Sequence, residues 1–210
     1  MKRSRKMQID RERFERMCAL YREWNDKINV ISRKDIDQVY EHHVLHSLAI
    51  AAYFEREGLD PGRTILDVGT GGGFPGMPLA LVFPQVQFTL CDSIGKKIRV
   101  ASAVAEALGL ENVRCVNARA ETLPGQYDWI VSRAVASLQD FYPWVKDKYR
   151  QGILCLKGGD LSEEIAVLER RFHVGVRSWR IDSWLNDDYY AEKFVIQIGK
   201  NYLCTPKSEK

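Results

Sequence analysis

No two cysteines stand at CxxC spacing: Cys18, Cys91, Cys115, Cys155 and Cys204 lie far apart along the chain. Zinc sites and disulfide frameworks both need closer pairs, so neither is expected. Long apolar runs are missing too. The stretch LAIAAYF (residues 48–54) falls well short of the ~20 residues a membrane span requires. The basic opening MKRSRK has no apolar segment behind it and does not read as a secretory signal. Repeats and low-complexity segments are absent, and the net charge is only +3. These absences leave a reduced, cytoplasmic, globular protein as the expectation.

What remains is ordinary in amount and uneven in arrangement. The chain's 210 residues suffice for one full-sized core, and 45% apolar with 28% charged content is usual for such a chain. Residues 2–16 carry seven Lys or Arg against three Asp or Glu. Such an arm either binds phosphates without reading sequence or is simply solvated.

Helical spacing of Phe14, Met17, Tyr21 and Trp24 predicts a helix over 8–24. A second is expected over 39–57, with Val44, Leu45, Leu48 and Ala52 inward and Gly58 as its stop. After DPGR, short β-rich runs alternate with helical ones, which implies βαβ units and a mostly parallel sheet. A helix is expected near 137–148. FHVGVRSWR and KFVIQIG alternate in polarity and are expected to pair antiparallel at an edge. The expected architecture is α/β, with a helical cap (1–60) on a doubly wound domain (61–210), together one compact unit.

The stretch ILDVGTGGGFPGMPLA, residues 65–80, holds five glycines and two prolines between apolar ends. Glycines after a strand let the backbone turn sharply and let a ligand approach bare amides. Gly71-x-Gly73-x-x-Gly76 satisfies the dinucleotide fingerprint, so a nicotinamide or flavin enzyme is one reading. The neighbours favour another. Asp67, two positions before Gly69, would repel a pyrophosphate but attract a cationic amino acid group, such as that of S-adenosylmethionine. Asp92 closes the next strand, where it can accept from ribose hydroxyls. Ala120 and Glu121 follow the third strand, beside an adenine edge. Gly71 belongs to the same set, which falls at consecutive strand ends, where open α/β sheets bind ligands.

WNDKINVIS, HHVLHSLAI, DVGTGGGFPGMPLAL, FTLCDSIGKKIRV, NARAE, ISRAVASL and LKGG follow in that order. Together they resemble the glucose-inhibited division protein B family, bacterial enzymes that methylate guanine N7 in 16S ribosomal RNA. The resemblance spans about residues 14–199. It implies a class I methyltransferase fold, S-adenosylmethionine as methyl donor, 16S RNA or the 30S subunit as partner and a cytoplasmic location; a monomer without metal is also expected. It places cofactor contacts on Gly69, Phe74, Ala120, Glu121 and Arg133. The chain departs from the family in one place of note: His46 stands where the family often has Asp.

Guanine N7 has a free in-plane lone pair, so its methylation needs no general base, only in-line positioning and exclusion of water. Arg133 is the candidate positioning residue. Its guanidinium would engage the cofactor, an RNA phosphate or guanine O6. The plain alternative is a salt bridge to Glu121 or Asp128. Lys157 and Arg119 are candidate RNA contacts, with Lys96, Lys97 and Arg99 as a further basic rim or a solvated helix face. His42 and His46 have metal-ligand spacing but no partner set, so a packed or RNA-facing role is expected. Phe14 and Trp24 are read as core rather than base-stacking residues, and Cys155 as a buried strand residue rather than a nucleophile.

Overall fold

The computed structural model describes residues 10–199, so residues 2–9 of the basic arm and Cys204 lie outside the described residues. Helix α1 (Arg11–Lys27) starts where the Asp10 carboxylate accepts from the Arg13 amide, a common N-cap arrangement. It buries Phe14, Met17, Cys18 and Tyr21 along one stripe, while Trp24 stays half-buried beneath Lys27. Phe14 is therefore core. Each such side chain contributes roughly 1.5–3 kcal/mol by leaving water.

The expected second helix over 39–57 is not one regular helix. Residues Ile36–Gln38 form a 3₁₀ turn, Tyr40–Leu45 form π-helix, and only His46–Glu57 are α-helix (α2). A π segment holds an extra residue per turn and so re-aims the side chains it carries, here His42 and His43. Every residue from His46 to Phe54 is buried, and Gly58 ends the helix with φ +63°, as its left-handed stop.

From there the alternation is as expected: β1 (Thr64–Val68), α3 (Gly76–Val82), β2 (Gln87–Asp92), α4 (Gly95–Ala107), β3 (Val113–Asn117), β4 (Tyr127–Arg133), α5 (Leu138–Val145), β5 (Tyr149–Gly158), α6 (Ser162–Phe172), β6 (Gly175–Arg180) and β7 (Lys193–Gly199). The seven strands lie in the order β3-β2-β1-β4-β5-β7-β6. β1 to β5 are parallel, and β7 runs antiparallel between β5 and β6, so β6 is the edge strand. This is a mostly parallel, Rossmann-like sheet with an antiparallel last strand, as the resemblance implies. Its order reverses between β1 and β4, which opens a crevice at their carboxyl ends.

Side chains alternate faces along each strand, and so do the core's two apolar clusters. Ile65, Trp129, Val131 and Leu154 pack on one face with Phe14, Met17, Tyr21 and Leu48 of the cap. Leu66, Ile130, Ile153 and Cys155 pack on the other with α5 and α6. Cap and sheet share one apolar core. Asp67 and Arg133 continue the cap-side alternation of β1 and β4. Among the described residues no helix is long and apolar enough to cross a membrane.

Candidate active site

The glycine loop fills the mouth of the crevice. Gly69 and Thr70 donate their amides to the Cys91 carbonyl at 2.8 and 3.0 Å, which ties the loop to the end of β2. Gly69 has φ +67°, and a Cβ there would stand 2.4 Å from Val135 of the segment after β4. Gly73, at φ +122°, lies under the Tyr21 hydroxyl, 2.6 Å from where a Cβ would be. That hydroxyl donates to the Gly72 carbonyl at 2.7 Å, and its ring meets Phe74 at 4.6 Å. Helix α1 thus presses on the loop through a residue that spacing alone marks only as core.

Asp67 is fully buried behind the loop. Its Oδ2 accepts from Thr70 Oγ1 at 2.6 Å and from the Gly76 amide at 2.7 Å, where α3 begins. Its Oδ1 has no hydrogen-bond partner among the described residues. Burial raises its pKa from 3.8 to about 7, against the lowering pull of those two donors. One oxygen therefore caps a helix, and the other awaits a partner. Asp92, also buried, accepts from the Gly71 amide at 2.9 Å through Oδ2 and from the Ile94 amide at 2.8 Å through Oδ1. Each of its oxygens retains a further lone pair for a hydroxyl donor. Ala120 is buried at the head of a 3₁₀ turn after β3, with Glu121 exposed beside it.

Arg133, half-buried at the end of β4, holds its guanidinium 5.1 Å from the centre of the Phe74 ring. Its Nη2 donates to His43 Nδ1 at 2.9 Å. Neither carboxylate considered as its partner is engaged: Asp128 caps the amides of Arg63 and Thr64 and pairs with Arg150. Burial lowers the pKa of Arg133, and it depresses that of His43 to about 3, with Arg133 adding to the effect. That direction favours the neutral imidazole of His43 near pH 7.

Lys157 is not a free phosphate-binding lysine. Its Nζ donates to the Ala136 carbonyl at 2.9 Å and pairs with Glu164 at 3.0 Å. Arg119 is exposed just before the Ala120 turn, while Lys96 and Arg99 project from α4 into solvent. His42 and His46 do not act as a pair: His42 contacts Asp35 at 3.1 Å and stacks on Tyr189 at 3.6 Å, whereas His46 is buried. Cys155 is buried, and its thiol is pushed up to about 12, so it is no nucleophile.

Between cap and sheet, beside the glycine loop, lies a cavity of about 470 Å³ bordered by His43, His46, Arg133, Lys157, Tyr189 and Lys193. Among the described residues no carboxylate lines it. Of the residues that shape the site, Tyr189 and Lys193 lie outside the motifs, while Tyr21 and His43 are marked there without these roles. The signal for Lys193 was present: an antiparallel last strand begins where the parallel strands end, so its first residue reaches the carboxyl edge.

The family model described as rRNA small subunit methyltransferase G (GidB) matches residues 10–183. Two relatives named ribosomal RNA small subunit methyltransferase G come from Porphyromonas gingivalis and Flavobacterium johnsoniae. The first is 56% identical over 199 residues, covering 90% of this chain and 86% of its own. The second is 54% identical over 195 residues, covering 89% and 90%. The fold is similar to magnesium protoporphyrin IX methyltransferase from Synechocystis with bound SAM, with a TM-score of 0.65 at 14% identity over 90% of this chain and 91% of that one. It is also similar to a 16S rRNA N2 G1207 methyltransferase of T. thermophilus, with a TM-score of 0.57 at 20% identity over 75% and 42%. With the family model covering most of its length and close relatives along nearly all of it, the chain belongs to the rRNA small subunit methyltransferase G family.

Proposed function

We propose that this enzyme transfers a methyl group from S-adenosylmethionine to N7 of a guanine in 16S ribosomal RNA, acting as a cytoplasmic monomer on the free RNA or the 30S subunit. One observation carries the choice of cofactor: the unpartnered Asp67 Oδ1 buried behind the glycine loop. A buried carboxylate oxygen calls for a cation or a donor, which an α-ammonium supplies and a pyrophosphate does not.

The residues fit the donor. Asp67 would take the amino acid end, Gly69 and Gly71 the close backbone approach, and Asp92 the ribose hydroxyls. Ala120 and Glu121 would border the adenine, while Phe74 and Arg133 wall the reacting side. S-adenosylmethionine, when bound, supplies an electrophilic methyl on a sulfonium. The chain itself excludes water with Phe74, Val135 and the cap, and orients the base through Arg133 and its neighbours. No residue has to remove a proton, and the neutral His43 is in keeping with that. Arg119 and the basic N-terminal residues add phosphate contacts on the outer RNA.

The test is incubation with methyl-labelled S-adenosylmethionine and unmodified 16S RNA, free and as 30S particles, followed by nucleoside mass analysis. Label in N7-methylguanosine supports the reading. Its absence with both substrates, or binding of NAD(P)H in place of S-adenosylhomocysteine, rejects it.

A further inference from the structure

His43 borders the cavity beside Arg133 and carries a hydrogen-bond donor whose tautomer the structure fixes. Arginine cannot accept a hydrogen bond, so the 2.9 Å contact from Arg133 Nη2 makes His43 Nδ1 the acceptor. The imidazole proton then resides on Nε2. That atom is buried and has no partner among the described residues. A buried N–H left unmatched costs free energy, so a ligand that enters the bordering cavity and brings an acceptor to it is stabilised. Three cations border the same space, of which Lys157 is neutralised by Glu164, and Lys193 rests on the Tyr189 ring.

We propose that the cavity receives the target guanine and that His43 Nε2–H donates to its O6, making His43 the residue that separates guanine from adenine. The inference rests on the guanine-N7 reading above. Purines differ at this edge only in their six-position group, an acceptor in guanine and a donor in adenine, while both present N7. The usual guanine reader is an arginine bidentate to O6 and N7. Here that mode would occupy the lone pair that must attack the methyl. One Arg133 N–H is spent on His43, and a lone imidazole N–H given to O6 leaves the N7 lone pair free. Neutrality of the donor matters as well, since methylation makes the purine ring cationic. The imidazole's depressed pKa keeps it uncharged.

Two substitutions separate reading the base from holding Arg133. In His43→Asn the amide oxygen keeps an acceptor near the Nδ1 position but no donor reaches that of Nε2. In His43→Gln the reverse holds. The probes are GMP, IMP and AMP, titrated by NMR into protein saturated with S-adenosylhomocysteine. Wild type should bind GMP and IMP, which share O6, at least tenfold tighter than AMP. His43→Asn should lose that preference to within about twofold, with S-adenosylhomocysteine affinity unchanged as evidence of a correct fold. His43→Gln should retain part of it. In ¹⁵N-histidine-labelled wild type, the His43 Nε2–H resonance should shift with GMP and IMP and stay in place with AMP, a readout that needs no variant. The proposal is overturned if wild type shows no preference, if His43→Asn keeps it, or if GMP leaves that resonance unmoved. N7 label on 16S RNA together with any of these results would fail His43 alone. Base preference without label would fail the methylation reading alone.

Discussion

Replacing Asp67 by Asn should make the unliganded protein more stable, and more so as the pH rises. The carboxyl is fully buried and its pKa stands at about 7 rather than 3.8. Because that value is raised, the folded state holds a proton the unfolded state has released, and stability falls as the pH climbs from about 4 through about 7. At about 1.4 kcal/mol per tenfold change in proton affinity, the penalty reaches on the order of 4 kcal/mol above pH 7. Asn has no charge to bury, and its amide oxygen can still accept from Thr70 and Gly76. Urea unfolding of both proteins at pH 5 and pH 8 should show the variant gaining about 3 kcal/mol on the wild type over that interval. The same carboxyl should give wild-type S-adenosylhomocysteine binding a pH dependence that the variant lacks, with affinity weakening toward tenfold per unit below pH 7, because the ammonium needs the ionised form. A stability gap that stays constant with pH, or equal pH profiles of binding in the two proteins, would refute the assignment.

Arg133→Lys should lower kcat/KM on 30S particles at least tenfold, since an ammonium cannot both face Phe74 and hold His43 in the planar guanidinium's geometry; a thermal melt within a few degrees of wild type would place that loss in the site. Gly69→Ala and Gly71→Ala both put a side chain at positive φ, worth roughly 1–2 kcal/mol. Only Gly69 also meets Val135, so its melting temperature should drop further, and equal losses would argue against the close approach of Val135 to Gly69. Tyr21→Phe should cost about 0.5–1.5 kcal/mol by stranding the Gly72 carbonyl, and it should weaken S-adenosylhomocysteine binding as well. Calorimetric binding unchanged in that variant would show that α1 does not govern the loop.

The sheet was legible because its signals are local. Strand runs of period two, a glycine cluster after the first of them and acids at strand ends are all written within a few residues. The antiparallel pairing of β6 and β7 at one edge of the sheet was legible for the same reason. The π-helical stretch 40–45 was not, since HHVLHSLAI keeps an ordinary helical pattern and the extra residue is settled by what packs around it. Lys157 reads as an exposed strand-end cation until the fold brings Glu164 and the Ala136 carbonyl to it. His43 sits inside the HHVLHSLAI motif, but its role depends on Arg133, ninety positions away.

The site draws on distant parts of the chain, with Tyr21 of α1 holding the glycine loop and Tyr189 and Lys193 lining the cavity. Such a site has no half-built form. Contacts of so long a sequence separation arise late in folding, after the sheet has brought the two ends together. Amide exchange at Gly73, whose N–H donates to Thr70 within the loop, should therefore slow only in the complete chain and should quicken when either end is loosened.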